Sequence, residues 1–116
     1  MSIAILLPYK ENYSSNQAGA VSLFINDINK KSQFKKETQI YGSTKDKNYL
    51  SNNYINIDIQ KSYFKSSNLS YVKEFLKIID KDKTDIIEVH NRPAYIKYIK
   101  QKFFKTTFFF FHNDPL

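Results

Sequence analysis

The chain has no cysteine and no tryptophan, only two glycines and three prolines, and a single arginine, Arg92, among its 18 basic residues. Each scarcity excludes something. Without cysteine there is no disulfide framework, no thiolate nucleophile and no zinc–thiolate site, which fits a reducing compartment. So little glycine leaves no room for the usual phosphate loops: neither G-x-G-x-x-G nor G-x-x-x-x-G-K-[ST] occurs. Long apolar runs are also lacking. The opening "MSIAILLPYK" has no basic leader and stops at Pro8, and "FFFF" at 108–111 is far too short to span a bilayer.

What is there is enough for one domain. The length is 116 residues, 41% hydrophobic, with a net charge of +7. The lysines are scattered rather than blocked, and the wealth of Lys, Asn, Ile, Tyr and Phe is what AT-rich codons supply. The charge therefore reads as a solvated surface and not as a nucleic-acid footprint. The alternative use is attraction to an anionic membrane face or to phosphorylated ligands, worth up to ~1 kcal/mol per lysine near lipid.

Periodicity gives an alternation of strands and helices. "IAILLP" (3–8) reads as a strand covered on both faces, and 9–20 as a polar loop. Val21, Phe24, Ile25 and Ile28 form one helical stripe. "TQIYG" (38–42) is a second strand, followed by a polar loop over 43–52. "YINIDI" (54–59) alternates, with Ile55, Ile57 and Ile59 on one face. "KSSNLS" (65–70) supplies helix-cap chemistry before the stripe Val72, Phe75, Leu76 and Ile79. "DIIEV" (85–89) is a strand, Pro93 opens a helix carrying Ile96, Ile99 and Phe103, and "TTFFFF" (106–111) is a buried, central strand. The order β-α-β-β-α-β-α-β predicts an α/β, Rossmann-like, mostly parallel sheet flanked by helices. Ligands of such sheets bind beyond the carboxyl ends of the strands. Three segments fall there: the 9–20 loop, His90–Pro93 and His112–Pro115.

Those segments hold the scarce residues. "QAGAV" (17–21) brings small residues to a helix N-terminus, where backbone N–H groups can face a phosphate or where Gly19 merely allows close packing. In "EVHNRPAYI", Asn91 or Arg92 sits where a helix cap belongs. Arg92 can also hold a carboxylate or phosphate by two prongs, as lysine cannot. Glu88 is expected on the face opposite Val89, turned toward the rim. In "FFFFHNDP", the phenylalanines read as core, while His112 ends the strand and can donate a hydrogen bond or stabilise developing charge; Asn113 and Asp114 also suit a turn. His90, His112 and Asp114 have no spacing that marks a metal site, and no Ser/His/Asp or Cys/His nucleophile system can be assembled.

Taken together and in order, the first strand with its small-residue loop and "AGAVSLFINDI", then "DIIEVHNRPAYI", then an apolar strand ending "HNDP" resemble the N-terminal domain of family 4 glycosyltransferases of GT-B fold. The likeness is to members carrying an "HNRP" segment, and it spans nearly the whole chain. Such enzymes have two Rossmann-like domains facing a cleft. They transfer a sugar from a nucleotide-sugar donor to a glycan or lipid-linked acceptor with retention, generally without a metal or other cofactor, in the making of surface polysaccharides. The resemblance implies that Gly19 and Ala18 approach the donor diphosphate, with Ala18 where a second glycine is common. It implies that His112 contacts the donor sugar as the catalytic residue. His90, Asn91, Arg92, Asn113 and Asp114 would line the acceptor side of the cleft.

The resemblance also implies that residues 1–116 are a truncated N-terminal, acceptor-side domain. The C-terminal nucleotide-sugar domain would be absent, the fragment alone inactive, and apolar sheet surface left uncovered. Placement would be cytoplasmic, with peripheral contact at the inner membrane face. Two rivals stand beside it. One is a non-enzymatic α/β module that binds a phosphorylated or acidic partner through basic surface. The other is a phospho-acceptor receiver, for which Glu11 and Asp58 are poor matches to the acidic residues required.

Overall fold

The computed structural model describes residues 1–59 and 67–112. Strand β1 (Ile3–Leu6) leads through a loop to helix α1 (Ala20–Lys31), and a 3-10 turn at Lys35–Glu37 precedes β2 (Thr38–Gly42). Next come β3 (Tyr54–Asn56), α2 (Ser67–Ile78), β4 (Ile86–His90), α3 (Ala94–Lys102) and β5 (Thr106–Phe110). The strands form one all-parallel sheet in the order β3-β2-β1-β4-β5. This is the Rossmann-like α/β architecture expected from the alternation.

Strand alternation sorts the core into two layers. Ala4, Leu6, Ile87 and Val89 face α2 and α3, where they meet Val72, Phe75, Leu76, Ile79 and Ile99. Ile5, Leu7 and Ile40 face α1, where they meet Val21 and Ile25. Burying each such side chain contributes roughly 1.5–3 kcal/mol. Tyrosines fill much of the remaining space, and the fully buried Tyr71 donates its hydroxyl to the Leu7 carbonyl at 2.6 Å. No helix links β2 to β3. The 43–53 loop covers that end of the sheet itself, packing Tyr49 and Leu50 against the α1-side core. An isolated bridge from Tyr49 to Ser14 ties it to the first loop.

Several expectations need correction. The α1 stripe is only half buried: Val21 and Ile25 are inside, but Phe24 and Ile28 stay 46% and 49% exposed. Polar residues continue the buried face instead. Asn26 accepts from the Tyr13 hydroxyl, and Asn29 exchanges two hydrogen bonds with Asn53. Ile55 and Ile57 share the α2 side, as the alternation requires. Ile55 is exposed because β3 is the outermost strand, whereas Ile57 is buried. The largest correction is β5. It is an edge strand, not a central one, so Phe108–Phe111 are 38–74% exposed rather than core. Lastly, part of "KSSNLS" and the residues Asn113 and Asp114 lie outside the described residues.

Candidate functional site

The strand order reverses between β1 and β4, the place where doubly wound sheets open a crevice at their carboxyl ends. A crevice of about 460 Å³ lies there, lined by the β1–α1 loop (Pro8–Glu11), the start of α1 (Ala20, Val21) and the β4–α3 loop (Asn91, Arg92). Both loops are bent in an unusual way. Lys10 and Asn91 are the only non-glycine residues with positive φ among the described residues, at 69° and 58°. Glu11 N–H donates to the Pro8 carbonyl at 3.0 Å, so Lys10 holds the third position of a tight turn, one that glycine normally fills. Such conformations cost on the order of 1–3 kcal/mol each and gather at functional sites.

Tyr95, on α3, braces the crevice from below. Its hydroxyl donates to Asn68 Oδ1 at 2.7 Å and accepts the Tyr9 N–H at 3.1 Å. Burial, opposed mainly by its hydrogen bond with the Tyr9 backbone and by Arg92, pushes the Tyr95 phenol above its ordinary value. Lys10 lies over the Tyr9 ring, 5.6 Å from its centroid. Among the described residues the crevice thus presents two cations, Lys10 and Arg92, against one carboxylate, Glu11.

That carboxylate changes the account of Gly19. Gly19 caps α1 with no side-chain bond of its own. Glu11 fills the place: its Oε2 accepts from the Ser22 hydroxyl at 2.9 Å, on the first turn of α1. A Cβ at position 19 would collide with that carboxylate, approaching its Cδ and Oε1 to 2.8 Å. The missing side chain therefore makes room for the protein's own anion, which sits where a donor phosphate would otherwise meet the helix. Ala18 stands half-buried beside it and is not among the crevice-lining residues.

The β4 and β5 ends are joined by side chains that the sequence reading treated separately. Asn91 is not the helix cap; Pro93 holds that position. Asn91 Oδ1 instead accepts the His112 N–H at 2.6 Å, and its own N–H donates to the Phe110 carbonyl. Arg92 Nη1 donates to the Asn91 carbonyl at 2.8 Å. His90 is 2% exposed and turns away from the crevice, to the α1 side of the sheet. There its ring stacks on Phe110, its neighbour in register, and its Nδ1 lies 2.7 Å from His112 Nε2. His112 in turn meets the edge of Phe24. Glu88 is opposite Val89 as expected, but it points into the same groove rather than onto the rim, with Oε2 3.6 Å from His90 Nε2.

Of the residues singled out from sequence, Asn91 and Arg92 line the crevice, Gly19 lies at its helix end, and His90 and His112 pair beside it. Tyr9, Lys10 and Glu11, in the loop that the sequence places on the rim, also line the crevice, though no ligand contact is expected of them from sequence. The signal for them was Pro8, which stops β1 and forces a turn at the rim. Among the described residues no group of three or more His, Asp or Glu side chains is placed to hold a metal ion, and no helix is long and apolar enough to cross a membrane. Compared with protein-family models, curated proteins and solved structures, the chain matches none.

Proposed function

We propose that this domain forms one wall of a sugar-transfer site. The crevice receives the phosphate-bearing part of a nucleotide-sugar donor between Lys10 and Arg92, and its Asn91–Arg92 side also orients a glycan or lipid-linked acceptor. One observation carries the reading: Lys10, Asn91 and Arg92 converge with the first turn of α1 on a single crevice at the switch point of the sheet. The order of the three segments that resemble family 4 glycosyltransferases supports the choice of sugar transfer over other uses of an anion site. His112, tied to the crevice through Asn91, is the residue assigned to the donor sugar. For a phosphate to reach α1, the Glu11 carboxylate must swing aside. The scattered lysines support peripheral contact with an anionic membrane face, where lipid-linked acceptors reside.

The test is calorimetric titration of the chain with UDP-glucose and GDP-mannose, repeated on Arg92→Ala. Binding that Arg92→Ala weakens at least tenfold supports the reading; binding indifferent to Arg92, or none, removes it. A second reading, a non-enzymatic module for a phosphorylated or acidic partner, is favoured by a different place. Lys30, Lys35 and Lys47 surround a depression of about 530 Å³ near the β2–β3 edge. That reading requires salt-sensitive binding that Arg92→Ala leaves unchanged and Lys35→Ala reduces.

A further inference from the structure

Glu88, His90 and His112 form a line that neither the crevice nor the core requires. His90 Nδ1 is 2.7 Å from His112 Nε2. His90 Nε2 is buried, has no hydrogen-bond partner among the described residues, and lies 3.6 Å from Glu88 Oε2. Between two neutral imidazoles one nitrogen must donate and the other accept. If His90 carried its proton on Nδ1, the bare lone pair of Nε2 would face a carboxylate with nothing between them. If the proton is on Nε2, it points at Glu88 and Nδ1 is left to accept from His112. Only the second arrangement gives every buried nitrogen a favourable neighbour. It follows the usual logic by which the hydrogen bond at one ring nitrogen sets the other.

We infer that Glu88 is a positioning residue: through His90 it fixes the tautomer of His112, so that His112 holds its proton on Nε2 and carries its lone pair on Nδ1. This deepens the proposed function and rests on it for its use in sugar transfer. The stacking of His90 on Phe110, with ring planes 10° apart, holds the relay in plane, and Asn91 Oδ1 fixes the backbone of His112 at its far end.

The chain contains only two histidines, so imidazole nitrogen spectra are simple. The experiment is long-range ¹H–¹⁵N correlation of the ¹⁵N-labelled chain at pH 8, with His112→Gln used to assign the signals. The expected result is that both rings are neutral and carry the proton on Nε2. In Glu88→Gln, whose amide oxygen can still accept, the pattern persists. In Glu88→Leu, the His90 signals move toward the Nδ1–H form or a mixture, and those of His112 follow. A wild-type His90 protonated on Nδ1, or on both nitrogens, overturns the inference whether or not the variants fold. So does an unchanged tautomer in a folded Glu88→Leu. Failure of UDP-glucose and GDP-mannose to bind would remove the sugar-transfer reading while leaving this tautomer result intact, so the two failures are distinguishable.

Discussion

Replacing Gly19 with alanine should destabilise the protein, and by an amount that depends on Glu11. The new Cβ displaces the Glu11 carboxylate. That breaks the Ser22–Glu11 hydrogen bond, for which a charged partner at a half-buried site is worth about 1–2 kcal/mol. It also removes an anion from the N-terminus of α1, about 0.3–1 kcal/mol. Alanine is a poorer N-cap than glycine by roughly 0.5–1 kcal/mol. The single change should cost about 2–3 kcal/mol, or roughly 8–12 °C in Tm for a domain of this size. In a Glu11→Ala background only the cap difference remains, about 0.5–1 kcal/mol. Urea unfolding followed by far-UV circular dichroism on the four proteins of this cycle measures the coupling, since there is no tryptophan to report. A coupling of about 1–2 kcal/mol is expected. Equal costs of Gly19→Ala in both backgrounds would refute the reasoning, because the carboxylate would then not be seated on the helix.

Further expectations can be checked independently. Glu11→Ala vacates the helix N-terminus and removes a like charge, so pyrophosphate should bind at least tenfold tighter by calorimetry; equal or weaker binding contradicts that placement. Tyr71→Phe loses the hydrogen bond to the Leu7 carbonyl and should cost about 1–2 kcal/mol in urea unfolding, against none if that bond is idle. Burial raises the phenols of Tyr13, Tyr41, Tyr54, Tyr71 and Tyr95 above their ordinary value. Raised acids keep their full stabilisation below the unfolded value of about 10 and lose it as pH climbs through the folded ones. The chain should therefore unfold cooperatively between about pH 10 and 12, and circular dichroism unchanged to pH 12 would contradict this. The exposed edge β5 should drive self-association visible by analytical ultracentrifugation at high protein concentration. Phe111→Lys, at a side chain 74% exposed, should reduce it without loss of stability.

The sequence was most legible where one face of an element decides its burial. Val72, Phe75, Leu76 and Ile79 recur at helical spacing and all four are buried. The order of elements and the parallel sheet followed from the alternation of such stripes with short apolar runs. Position within the sheet was not legible. Four consecutive phenylalanines look alike in a central strand and an edge strand, because local pattern carries no information about which neighbours arrive. The same gap hid the uncovered half of α1, where Phe24 and Ile28 match the stripe but overhang a groove. At the site, the rim location of Asn91, Arg92 and Gly19 could be read from strand ends. The partners could not. Asn91 joins His112 across 21 residues, and Glu11 finds Ser22 across 11. Such contacts depend on loop conformations, here the left-handed Lys10 and Asn91, that side-chain type alone does not specify.

The central claim is that the β1/β4 crevice is the anion-receiving site. It is tested most directly by titrating pyrophosphate into the ¹⁵N-labelled chain and following backbone amide shifts. The account predicts saturable changes at Lys10, Glu11, the first turn of α1, Asn91 and Arg92, growing in Glu11→Ala and lost in Arg92→Ala. Changes confined to Lys30, Lys35 and Lys47, with the crevice amides unmoved, would contradict it.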